Sequence, residues 1–283
     1  MKIGLGLPIE DPGVLLDWAR RAEEGPFTTL GLLDRLVYDN PDPLTTLALL
    51  AGATSRVRLQ TEVLLAPLYN TAVLAKQTAT LDRLSDGRLT LGIGVGGRAD
   101  DCSAAGIDFR HRGRRLDEQM AALRRVWAGE PYGDGAGPIG PAPATPGGPE
   151  VIFGGFAPAA LARVARWGDG YLGAGLPPEP MAELFREVER GWRAAERTGR
   201  PRLVAQANVA LGPEPLLAGA RENLLAYYDF SGRADHMAGG LITTSARLRE
   251  TVRRFTEIGA DEVMLYCWAA DPDQVDRIAA ALD

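Results

Sequence analysis

The chain is short of the residues on which most metal and disulfide chemistry depends, with 2 cysteines and 2 histidines in 283 residues. Cys102 and Cys267 lie far apart, which points to a reducing compartment and away from a disulfide framework. His111 and His236 fall in predicted loops with no metal-ligand spacing around either, so two solvated loop histidines are expected rather than a metallohydrolase. Neither a GxSxG elbow nor a GxxxxGK[ST] loop occurs. Basic charge is also scarce: 31 Lys and Arg stand against 37 Asp and Glu, a net charge of -6. No Lys/Arg block is interleaved with aromatics, which excludes nucleic acid as the expected partner. No apolar run approaches the length of a membrane span. The start, MKIGLGLPIED, reaches acidic and proline residues too early for a signal peptide. The cytoplasm is the expected location.

What the chain does have is a repeated alternation of strand and helix. Val57 to Arg98 is one continuous βαβ unit. Val57 to Leu65 is rich in Leu and β-branched residues, Leu74, Thr78, Leu81 and Leu84 recur at helical spacing, Ser85 to Gly87 is the stop, and Leu89 to Val95 is a buried strand. Before it come a strand at Ile3 to Pro8, a helix at Val14 to Glu24, a strand at Thr28 to Asp34 and a helix at Pro43 to Thr54. After it, a polar loop of roughly fifteen residues leads to a helix with Leu116, Met120, Leu123 and Val126 on one face. Gly133 to Pro149 is a Gly/Pro-rich loop. Strands at Val151 to Phe153, Gly170 to Ala174, Pro201 to Leu211 and Glu262 to Tyr266 alternate with helices over Pro158 to Trp167, Met181 to Trp192, Pro215 to Phe230, Leu248 to Ile258 and Asp273 to Leu282. Eight strands alternating with helices, and no reversal of the kind a doubly wound sheet needs, predict a single-domain α/β (β/α)8 TIM barrel over residues 1–283. The 46% hydrophobic content is enough for its core.

In such a barrel the chemistry sits where the strands end. Those ends present Pro8, Asp34 and Arg35, Glu62 to Ala66, Gly94 to Arg98, Gly154 to Phe156 and Gly173 to Gly175. Asp34, Arg35 and Glu62 are charges at the rim of apolar strands, suited to carrying a proton, orienting a ligand or forming a surface ion pair. Gly92, Gly94 and Gly97 satisfy GxGxxG, with Asp117 about twenty residues on. A dinucleotide fingerprint would need the third glycine to open a helix and the acid to end a strand, whereas here a polar loop follows and Asp117 falls inside a helix. Small residues that let a flat ligand or a phosphate approach the backbone are the better account. Gly154 to Ala157 precede a proline-started helix, a turn that is either an anion site or a plain βα connection. Asp108, Arg110, Arg112, Arg114 and Arg115 could meet a phosphate or form surface pairs among themselves.

Taken together, Thr61 to Leu65 and the runs AVLAKQTATLDRLSDGRLTLGIGVGG, RGRRLDEQMAALRRVWAGEP and FGGFAPAALARVARWGDGYL resemble the luciferase-like family of flavin-dependent monooxygenases and related deazaflavin (coenzyme F420) oxidoreductases. The resemblance covers most of the chain. It implies a reduced flavin lying across the barrel mouth, supported by a bulge in the third strand with a non-prolyl cis peptide, here Glu62 to Val63. By the same likeness Gly94, Gly96 and Gly97 run beside the cofactor, while Gly154, Gly155 and Phe156 hold its phosphate. Asp34 matches an acid near the ring. The chain also departs from the deazaflavin pattern, with Arg35 where several such enzymes have His and Gly97 where they have Glu. FGGFAPAA is closer to a sulfonate monooxygenase branch that uses FMN, although that branch's sulfonate-binding residues have no match.

The expected function is a monooxygenase that takes reduced FMN from a separate flavin reductase and uses oxygen on a small organic substrate. The alternatives are F420-dependent hydride transfer and a flavin-binding protein without catalysis. Asp34, Glu62 and His111 are the candidates for proton handling, and no metal is expected. A homodimer through the helix faces around Leu44 to Ala53 and Val73 to Leu84 is expected from the family likeness.

Overall fold

The computed structural model describes residues 1–283. Apolar strand residues of the barrel are buried on both faces, and each barrel stave connects to the next through helix that covers the outside, the arrangement that parallel pairing demands. The strands are β1 (Lys2–Gly6), β2 (Thr29–Leu32), β3 (Arg58–Thr61), β4 (Leu64–Leu65), β5 (Leu89–Gly94), β6 (Pro131–Gly133), β7 (Ala136–Pro138), β8 (Glu150–Gly154), β9 (Gly170–Leu172), β10 (Arg202–Val209) and β11 (Glu262–Cys267). The helices are α1 (Leu15–Glu24), α2 (Pro43–Ala53), α3 (Thr71–Leu84), α4 (Ala99–Ala104), α5 (Arg112–Trp127), α6 (Pro158–Trp167), α7 (Pro178–Ala194), α8 (Glu214–Tyr228), α9 (Ala234–Gly239), α10 (Ser245–Glu257) and α11 (Asp273–Leu282).

The main sheet runs β3-β2-β1-β11-β10-β9-β8-β5-β4, and β3 also pairs with β5, so the sheet closes on itself. Every pairing in it is parallel. β3 and β4 form one interrupted stave, which leaves eight staves and a (β/α)8 barrel. β6 and β7 make a separate antiparallel hairpin. No helix is long and apolar enough to cross a membrane.

Four local expectations need correction. The third strand is interrupted at Glu62 and Val63, where the Thr61 carbonyl comes so close to β5 that a Cβ on Gly92 would lie 2.0 Å from it and only glycine leaves the room. The polar stretch after β5 contains α4 and a one-turn helix at Phe109–His111, held by the Asp101 and Asp108 side chains rather than by apolar periodicity. The Gly/Pro-rich segment begins with the β6–β7 hairpin. Finally, α9 follows α8 in a stretch whose composition gave no helical period.

Candidate active site

The interruption of β3 shapes the barrel mouth. The Glu62–Val63 peptide is cis, as the resemblance implied. The Glu62 amide donates to the Leu32 carbonyl (2.8 Å), and the Leu65 amide donates to Asp34 Oδ2 (2.8 Å), so the bulge is tied to the end of β2. Val63 occupies the room where side chains on Gly94 and Gly154 would stand, with Cγ atoms 2.5 and 2.9 Å from their Cβ positions. Gly92 therefore serves the bulge, which corrects the expectation that its vacancy receives a ligand, while Gly94 both makes room for Val63 and lines the cavity described next. Gly97 borders open space instead, where a Cβ would meet only Phe230, at 4.0 Å.

Two cavities open on this end of the barrel, and both are lined by Gly97. One is a trough of about 410 Å³ that passes Gly94, Gly96, Gly154, Gly155 and Phe156 to the start of α6. Pro158 begins that helix after Ala157, so the positive helix end at this point of the trough would favour an anion. Arg112 also lines the trough. Its Nε donates to the Gly96 carbonyl (3.0 Å), and its guanidinium lies 3.7 Å over the Phe109 ring, with no carboxylate paired to it. Arg163 is committed to Asp117 by two hydrogen bonds of 2.9 and 3.0 Å. The other cavity, a chamber of about 170 Å³, is lined by Asp34, Arg35, Glu62, Val63 and Leu65 on one side and by Arg98, Tyr227, Tyr228 and Phe230 on the other.

The chamber holds two carboxyls that burial keeps from ionising easily. Desolvation pushes Asp34 up to about 6, against the opposing hydrogen bonds from the Leu65 amide and the Tyr69 hydroxyl (3.2 Å). Desolvation pushes Glu62 up to about 8, even though Gln60 Nε2 donates to its Oε1 (2.5 Å). Glu62 Oε2 has no partner. Arg35 is buried rather than paired at the surface: its Nε donates to Asp101 (2.8 Å), whose side chain is 1% exposed. Arg98 crosses the mouth, its guanidinium 3.6 Å over Phe230 and 4.7 Å over Tyr227, and donates to the Tyr227 carbonyl (2.6 Å).

Asp34, Glu62 and Val63 thus meet in the chamber, and Gly94, Gly96, Gly97, Gly154, Gly155 and Phe156 line the trough. His111 does not join them. It lies half-exposed in a third cleft with Ile107, Arg114 and Glu118, its Nδ1 3.0 Å from Asp108. The surface pairing weighed for the arginines after β5 describes Arg110 and Arg114, which face Asp108 and Glu118, while Arg115 holds the Pro67 and Tyr69 carbonyls. Asp101 and the Tyr227, Tyr228 and Phe230 wall were not foreseen. Three aromatics within four residues at a helix end, in a chain that is 7% aromatic, are the signal that could have found the wall.

The profile of the luciferase-like monooxygenase family matches residues 3–281. An uncharacterised protein of Mycobacterium tuberculosis is 31% identical over 173 residues, covering 58% of this chain and 60% of that protein. The F420-dependent glucose-6-phosphate dehydrogenase of Kineococcus radiotolerans is 34% identical over 222 residues, covering 70% of this chain and 64% of that enzyme. The chain therefore spans less than two thirds of the length of these relatives. Among solved structures, a monooxygenase from Streptomyces bottropensis superposes with a TM-score of 0.78 at 20% identity, covering 99% of this chain and 97% of its own. An F420-dependent secondary alcohol dehydrogenase in complex with an F420-acetone adduct does so with 0.80 at 17% identity, covering 100% and 99%. At these identities the likeness shows a shared fold.

Proposed function

Because this chain belongs to the luciferase-like monooxygenase family, we propose that it is an oxidoreductase that lays a flavin-type ring across the barrel mouth and acts on a small organic substrate in the adjoining chamber. One observation carries the reading: a glycine-lined trough that ends at a helix N-terminus meets, at Gly97, a chamber with two carboxyls held near neutrality. Residues of the right kind to hold such a cofactor are present. The start of α6 and Arg112 would take its phosphate, and Val63, Gly96 and Gly97 would flank its ring.

Hydride transfer with F420 is the reading placed first, ahead of the monooxygenase expected from the sequence. When bound, F420 supplies a two-electron hydride carrier. A hydride acceptor also needs a proton, and Glu62 carries one through neutral pH at the chamber wall with its Oε2 unpaired. Asp34, lower in its titration, stands ready to hold or release the proton of a substrate hydroxyl. The Kineococcus relative, F420-dependent by name, adds support. A second reading is a monooxygenase that receives reduced FMN from a separate reductase. Its support is the apolar wall of Leu33, Val63, Leu65 and the Tyr227 to Phe230 aromatics, which keeps water from a reactive centre. A carrier without catalysis has no use for two carboxyls at this cost in desolvation.

Titration of the full chain with FMN and F420, each oxidised and reduced, tests both readings. F420 is expected to bind more tightly, by roughly 10-fold or more. A preference for reduced FMN would hand the reading to the monooxygenase, and no binding by any of the four would remove it.

A further inference from the structure

The least satisfied polar group in the chamber belongs to Arg35. Its side chain is 4% exposed, Nε donates to Asp101 and Nη2 donates to the Val37 carbonyl (2.8 Å), yet Nη1 has no partner. A buried charged N–H left unpaired is costly, and Arg35 is among the residues that line the chamber, so an acceptor that a ligand presses against this wall can recover that cost.

The charges around it narrow what that acceptor can be. Asp101 neutralises the Arg35 guanidinium, and Asp100 lies 3.4 Å from it on the exposed side. Arg98 is occupied with the Tyr227 carbonyl and two aromatic rings. Asp34 adds a further carboxylate to the wall, so no positive charge is left over to draw an anion. The unpaired atoms of the chamber are Arg35 Nη1, a donor, and Glu62 Oε2, a second donor when its carboxyl carries the proton. Around these donors stand Leu33, Val63 and Leu65, with Tyr227 and Tyr228 opposite. Both tyrosine rings pack on the buried Trp268, with centroids 5.3 and 6.0 Å away, so this wall is backed rather than loose.

From this arrangement we infer that the chamber selects an apolar molecule bearing an uncharged carbonyl oxygen, and that Arg35 is the specificity-determining residue that reads the oxygen through Nη1. The inference rests on the reading of the trough as the cofactor side and the chamber as the substrate side. An uncharged carbonyl on an apolar body meets two donors and loses no ionic solvation on entry. A carboxylate would leave water for a pocket with no positive charge left over, and a hydrocarbon would leave both donors unpaired.

Equilibrium dialysis of the full chain, alone and loaded with the cofactor that the titration selects, tests this with 1-indanone and indane, which share a fused-ring body and differ by one oxygen. The wild type is expected to retain 1-indanone roughly 10-fold or more tightly than indane. Arg35→Met is expected to bring that ratio close to one while indane retention holds. Arg35→Lys keeps the charge beside Asp101 and is expected to give an intermediate ratio, which guards against a misfolded Met variant. Equal retention of the two compounds by the wild type, retention of neither, or an unchanged ratio in both variants would overturn the inference. Failure of the wild type to bind FMN or F420 would remove the cofactor reading instead, and the dialysis of the unloaded chain would still decide the role of Arg35.

Discussion

Glu62 occupies room that exists because residue 31 has no side chain: a Cβ there would sit 2.5 Å from the Glu62 carboxyl carbon. Enclosed in this way, the carboxyl keeps its proton up to about 8 instead of the ordinary 4.5. The folded chain holds a proton that the unfolded chain has lost throughout that window. The contribution of Glu62 to stability is therefore highest below pH 4.5 and falls as the pH rises to about 8. Glu62→Gln keeps the shape and removes the titration. Its unfolding free energy relative to the wild type is expected to climb from pH 5 to pH 8, by on the order of 3 kcal/mol at the upper end, as read from urea unfolding at each pH. A gap that did not change with pH would mean that Glu62 is solvated and ionised. The sequence made Glu62 conspicuous as a charge in an apolar strand. The burial of Arg35 was hidden because Asp101 lies 66 residues away along the chain and no local pattern couples the two.

At the scale of elements, arginines finish what the helices leave open. α2 ends at Ala53 and Thr54 without a glycine to turn the chain, so its last carbonyls need outside donors. Arg88, at the foot of β5, supplies them. Its Nη2 donates to the Ala51 and Thr54 carbonyls (3.0 and 2.9 Å), its Nη1 to the Val57 carbonyl (2.8 Å), and its Nε to the Ser85 carbonyl beyond α3 (2.8 Å). One side chain thus joins the ends of two helices to the start of β3. Arg88→Met is expected to cost about 3 kcal/mol in urea unfolding, because buried carbonyls lose a charged donor and the side chain that replaces it cannot donate. A cost under about 0.5 kcal/mol would show that water satisfies those groups equally well. The helices themselves were legible, since α3, α5, α7 and α10 carry the apolar period that their packing uses. The break between β3 and β4 was not legible from periodicity, because it goes with the close approach of Thr61 to Gly92, a contact between staves. The family resemblance located it where the residue pattern read one continuous strand.

For the whole molecule, closure was readable because eight strand and helix alternations without a reversal leave parallel strands only one way to cover both edges, and β1 pairs with β11 over its full length. The outside of the barrel is less determined. Leu49 on α2 and Val73 and Leu84 on α3 are 57%, 53% and 64% exposed, on two helices that pack side by side. They lie on the faces from which a homodimer was expected, and we propose that a second copy of this chain covers them. Burying what each such side chain still exposes contributes roughly 1–2 kcal/mol, so three from each protomer are a substantial part of what a stable pair needs. Light scattering at about 10 µM is expected to give twice the 30.3 kDa chain mass. Leu49→Asp combined with Leu84→Asp is expected to give the single-chain mass with unchanged circular dichroism, because exposed sites tolerate charge in the monomer and a dry interface does not. A wild type already monomeric at that concentration, or a double variant still dimeric, would place the contact elsewhere or remove it.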